Sequence, residues 1–164
     1  MKTSLAITMG VALALPGGVA QAEVFKDKSY VTSCLPVSNE EVMKRPDGSS
    51  IRRIVSNCIA TGDLPFPFDV RKMVCIGTSE IGADGKVISS HGYCDSLSTK
   101  GDRVASWTAF NPTDQGTWGF FSGTGAYAGI KGGGTYKVQT PLPGGGGINQ
   151  VTGSWETGAG TASK

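Results

Sequence analysis

From Gly116 to Val138 the chain reads GTWGFFSGTGAYAGIKGGGTYKV, and eight residues between 116 and 134 are glycine. No helix tolerates that density. Glycine does let a backbone turn through positive φ, and lets neighbouring strands approach with no side chain between them. The stretch therefore predicts a strand over 117–121, a glycine-punctuated reversal, and a second strand over 135–138. Aromatic residues stand on both arms, as in a unit that helps to close a small β-barrel.

The chain around this unit repeats the theme. Short β-rich runs occur at 51–59, 70–79, 86–97, 103–110 and 148–156, with a candidate N-terminal edge strand within 23–34. Turn chemistry separates most of them: Asp47-Gly48, Asp84-Gly85, Lys100-Gly101-Asp102 and Asn111-Pro112. Gly62 to Phe68 carries two prolines and reads as a loop, and so does Pro141 to Gly147. Ser38 with Glu41 fits a capping box ahead of Pro46, which predicts one short helical turn over 38–45. About seven to eight strands at this spacing make an all-β fold, a small antiparallel meander barrel. Closure would remove the exposed edges of so glycine-rich a sheet.

The first 22 residues have the form of an export signal. Lys2 provides the positive end, Leu5 to Leu15 the apolar centre, and Ala20-Gln21-Ala22 a small-x-small cleavage site. The centre is too short to span a bilayer, so cleavage would release a periplasmic or secreted product with no membrane insertion. The remaining 142 residues, 23–164, make one domain. Their formal net charge is +1 and their basic residues occur in pairs, so charge offers nucleic acid nothing to bind.

All four cysteines, Cys34, Cys58, Cys75 and Cys94, follow the leader. An even count in an exported chain favours two disulfides. Their spacings of 24, 17 and 19 contain no C-x-x-C pair, which argues against zinc. A two-residue turn at Asp84-Gly85 would set Cys75 opposite Cys94, as a hydrogen-bonded pair. A three-residue turn with a bulge would shift that register by one and spoil the match, and Cys58 to Cys75 is the rival pairing.

The organising stretch resembles the C-terminal signature of allene oxide cyclase-like and dirigent-like barrels, in which a strand enters a G-G-T-G-[KA]-[FY]-x-G-[AI]-x-G reversal and leaves through G-x-[GA]-x-Y. The matching residues are Gly123, Thr124, Gly125, Tyr127, Gly129, Ile130, Gly132, Gly134 and Tyr136. The upstream run STKGDRVASWTAF is similar to the D-x-x-G-D-[KR]-[VI]-[FY] turn and strand of the same proteins, which include small exported bacterial members of unknown function. Together the two pieces cover residues 98–138, about a quarter of the chain. The resemblance implies the barrel. It implies no single activity, because cyclases and dirigent proteins share the fold and differ in chemistry. The cysteines and the short helical turn lie outside the plant pattern, and no catalytic residue carries over.

Several motifs have a functional and a plain reading. Gly123 to Ala128 matches G-x-G-x-x-[GA], but a dinucleotide site needs that motif to open a helix, and four more glycines follow it. The turn reading is preferred, and no cofactor is expected. His91 is the only histidine, and nothing near it resembles a nucleophile elbow. Glu80, Asp95, Asp102 and Glu156 lie near strand ends or turns, where solvated carboxylates are usual. Glu156, beside Trp155, is the first catalytic candidate and His91 the second. An inward Glu156 would have its pKa raised by burial. Trp107, Trp118, Phe120, Tyr136 and Trp155 alternate along their strands and are candidate lumen residues. They make either a filled core or the wall of a ligand cup.

These readings lead to an exported, disulfide-bonded, non-catalytic barrel. Its partner would be a small apolar ligand or another exported protein, and a homo-oligomer is compatible. The alternative is a cyclase or isomerase acting on a lipid or phenolic substrate.

Overall fold

The computed structural model describes residues 22–62, 72–111 and 115–158. Nearly all of the leader, most of the proline-rich loop expected over 62–68, residues 112–114 and the end of the tail lie outside them. Eight strands form a closed barrel in which each pairs with its sequence neighbours and β1 also pairs with β8. They are β1 (Val24–Lys44), β2 (Ser50–Thr61), β3 (Lys72–Ile81), β4 (Val87–Leu97), β5 (Arg103–Phe110), β6 (Gly116–Gly123), β7 (Lys131–Leu142) and β8 (Gly146–Glu156). All pairings are antiparallel. The expected meander barrel is the fold.

β1 is no edge strand. Its residues Val31 to Cys34 pair on both sides at once, with Thr61 to Cys58 of β2 and with Gln150 to Gly147 of β8. The helical turn expected over 38–45 is absent, because β1 runs on to Lys44 and Ser38 to Glu41 pair with Val55 to Arg52. The neighbouring strand supplies hydrogen-bond partners that a single helical turn could not, and Glu40 forms an ion pair with Arg53 across the ladder. Pairing overrides the local capping signal. Asp47-Gly48 does turn the chain, with Gly48 N–H donating to the Arg45 carbonyl at 3.0 Å.

The loop expected over 141–147 is also shorter than its composition suggests. β7 extends to Leu142 and β8 begins at Gly146, leaving a 3-10 turn over Pro143–Gly145. At the other end, Gly125–Tyr127 forms a 3-10 turn between β6 and β7, which is the strand-to-strand reversal read from the glycines.

Both disulfides join neighbouring strands: Cys34 to Cys58 across β1 and β2, and Cys75 to Cys94 across β3 and β4. The route to the second differs from the expectation. The β3–β4 turn has three residues, with Gly82 N–H donating to the Lys86 carbonyl at 2.8 Å and Gly85 at φ 80°. It alone would displace Cys94 from Cys75. An extra residue, Ile88, bulges between the Glu80–Ser89 and Ile81–Val87 pairs and restores the register. The Cα atoms of Cys75 and Cys94 are 4.0 Å apart, the narrow spacing of a non-hydrogen-bonded pair rather than the wide one expected.

Candidate functional site

One end of the barrel is filled. Val104, Trp118, Tyr127, Ile130, Val151 and Trp155 form the buried core, with Phe25, Tyr30, Phe120 and Tyr136 packed against it. The Trp118 ring meets those of Phe120, Tyr30 and Trp155 at centroid distances of 5.1, 6.3 and 6.2 Å. Missing side chains make this layer fit. Trp118 reaches from β6 across β7 to donate its indole N–H to the Thr152 carbonyl of β8 at 3.1 Å. A Cβ on Gly153 would come within 2.6 Å of Trp118 Cζ2.

The β6–β7 reversal closes this end by inserting Tyr127, which is fully buried, and Ile130. It is tied to the turn before β5. Asp102 Oδ2 accepts from Ala126 N–H at 3.2 Å, and Thr124 Oγ1 accepts from Arg103 N–H at 2.8 Å. The two separate pieces of the sequence signature therefore meet at the closed end of the barrel.

Above the aromatic layer the lumen is open. A cavity of about 660 Å³ extends toward the end carrying the β1–β2, β3–β4 and β7–β8 turns. Ile54, Met73, Ile81, Phe110, Val138 and Leu142 give it apolar walls. Hydroxyls and amides are interspersed, and several satisfy one another. Ser79 Oγ donates to Ser90 Oγ at 3.1 Å, and Asn149 Nδ2 donates to Thr32 Oγ1 at 3.3 Å. At the mouth, Asn39 Nδ2 donates to the Gly144 carbonyl at 2.7 Å and ties β1 to the β7–β8 turn. All four cysteines line the cavity, and Cys58 Sγ lies 3.8 Å from Cys75 Sγ, so the two disulfides form one ladder along its wall.

The sequence candidates separate on this frame. Trp118 and Tyr136 line the cavity. Phe120 and Trp155 belong to the packed layer beneath it. Trp107 is on the outside: Ser106, Thr108 and Phe110 face the lumen, so the two-residue period turns Trp107 outward. There its ring covers Gly119, where a Cβ would lie 2.8 Å from Trp107 Nε1. His91 and Glu156 are exposed and lie outside the cavity lining. The inward position expected of Glu156 is corrected, since the strand turns it away from the lumen.

The titratable groups that line the cavity are Tyr30, Tyr136 and Arg52. Burial raises the pKa of both phenols, pushing Tyr136 from the ordinary 10 up to about 12. Sequence reasoning passed over Arg52. Its available signal was the alternation of β2, which sets Arg52, Ile54, Ser56 and Cys58 on one face. Among the described residues, no carboxylate, histidine or lysine lines the cavity.

No family model matches the chain, and the comparison with curated proteins found no match. Among solved structures, the pterocarpan synthase dirigent protein is similar with a TM-score of 0.57 at 13% sequence identity, over 88% of this chain and 90% of that one. At that identity the likeness is one of fold, and the chain has a dirigent-like barrel.

Proposed function

We propose that this protein is a non-catalytic binder that holds a small, largely apolar ligand in its barrel lumen. The observation that carries the reading is the cavity of about 660 Å³, open at one end and floored by Trp118. Its volume lies within the range that small-molecule sites use, and apolar walls with a few polar handles are how such sites are built. The placement of His91 and Glu156 on the outer surface favours a binder over a cyclase or isomerase. Two disulfides fit an oxidising compartment, and so support the export read from the N-terminus.

The test is titration with N-phenyl-1-naphthylamine, whose fluorescence rises in apolar surroundings. Saturable binding at one site per chain is expected. Ile54→Trp, which fills the lumen, should abolish it while the circular dichroism spectrum is preserved. Equal binding by the filled variant would place the probe on the outer surface and overturn the reading.

A further inference from the structure

We infer that the ligand of this lumen carries a carboxylate, and that Arg52 is the residue that receives it. This rests on the lumen-binding reading and names the class of ligand. Of the four described arginines, Arg45 pairs with Glu80, Arg53 with Glu40, and Arg103 with Asp95. The Arg52 side chain forms no ion pair and no hydrogen bond among the described residues. Its Nε is buried without a partner. Arg52 lies on the lumen face of β2 between Glu41 of β1 and Ser79 of β3. Glu41, its cross-strand partner, is exposed, lies outside the cavity lining and forms no ion pair among the described residues. Ser79 is already engaged with Ser90.

A guanidinium keeps its charge at any physiological pH. Here it sits in a cavity whose other titratable lining groups, Tyr30 and Tyr136, are held neutral by burial. A half-buried cation with no partner beside apolar walls is costly, and an incoming anion relieves that cost while accepting from the unsatisfied Nε. The planar fork suits a carboxylate, which it binds through two parallel hydrogen bonds. A phosphate monoester, at roughly −2, would leave surplus negative charge among neutral groups. The combination of one cation and apolar walls thus selects an amphipathic monocarboxylic acid, with its apolar body against Ile54, Val138 and Trp118.

The experiment compares cis-parinaric acid with its methyl ester, two fluorescent probes that differ only in the charged head. The wild-type protein should bind the acid about ten- to a hundredfold more tightly, the range for hydrogen bonds to a charged group. Arg52→Met should weaken the acid to the level of the ester and leave the ester unchanged. Arg52→Lys should fall between them, because the charge stays and the fork is lost. Equal wild-type affinities would remove the carboxylate and leave the lumen reading intact. Failure of both probes to bind wild-type protein would overturn the lumen reading itself. A uniform loss of both in Arg52→Met would make Arg52 a packing residue and overturn the inference. Should that variant not fold, the wild-type acid-to-ester ratio decides alone.

Discussion

Single side chains in the lumen hold measurable free energy. Tyr136 is largely buried, and its phenol ionises near pH 12 instead of 10. The folded state therefore keeps this proton longer than the unfolded chain does. Stability from this group is complete below pH 10 and is lost as pH rises toward 12, by about 2–3 kcal/mol at most. Urea denaturation between pH 9 and 12 should show the decline, and Tyr136→Phe should lessen it to the part that the buried Tyr30 phenol contributes; an unchanged slope would mean that the Tyr136 phenol is solvated. Two glycines give a second residue-scale comparison. A Cβ on Gly116 would come within 2.0 Å of the far end of the Tyr136 ring, a side chain with the open cavity beside it. One on Gly153 would meet the Gly133 carbonyl oxygen as well as Trp118, both at 2.6 Å. Neither backbone nor close-packed indole can yield cheaply. Gly153→Ala should therefore cost more than Gly116→Ala, with overpacking penalties of about 1–3 kcal/mol as the scale. Thermal melts of the two variants provide the ordering, and the reverse order would contradict the packing of the aromatic layer.

The cysteine ladder is a property of elements, because strand register brings four residues from four strands together. Ser56 pairs with Cys75, which makes Cys58 a diagonal neighbour of Cys75, and their sulfurs are 3.8 Å apart. Replacing Cys34 by serine leaves Cys58 as a free thiol beside an intact disulfide. Its thiolate can attack Cys75 Sγ, forming Cys58–Cys75 and expelling Cys94 as the new thiolate; one bond forms, one breaks, and no oxidant is consumed. Peptide mapping of Cys34→Ser should find both Cys58–Cys75 and Cys75–Cys94. Detection of Cys75–Cys94 alone at equilibrium would show that the ladder does not exchange. Register is also where reading the sequence alone met its limit. Asp84-Gly85 marks a hairpin, yet nothing in the local residues distinguishes two turn residues from three, or announces the bulge at Ile88. Cys75 faces Cys94 because the longer turn and the bulge cancel. The capping-box pattern at Ser38 and Glu41 failed for a related reason: the partner that overrides it, β2, is a separate run of the chain.

At the scale of the whole barrel, the all-β class, the meander order and the glycine reversal were legible, because turn residues and period-two runs are local signals. Which face of each strand is inward was legible only in part. Alternation pairs Trp118 with Phe120 but cannot tell the open cavity from the packed layer below it, and it carries no sign of which phase of β5 faces in. Alternation alone therefore allows Trp107 an inward position, whereas its ring covers Gly119 on the outside. The signature itself describes the closed end, where Asp102 and Thr124 fasten the Tyr127 plug, so it identifies a fold and passes by the cavity. Closure was legible as a need to cover edges, but its seam was not, since that depends on β1 serving two neighbours. Only Val31 to Cys34 pair with β2 and β8 together, whereas Val37 falls at the bulge between Pro36 and Ser38. Proline lacks the N–H that a central strand position supplies, and an interior substitution costs about 3 kcal/mol or more. Ser33→Pro should therefore open the seam and greatly lower the melting temperature, while Val37→Pro, with no ladder partner to lose, should melt near the wild type. Circular dichroism melts distinguish them, and a wild-type melt for Ser33→Pro would mean that the barrel does not close through β1.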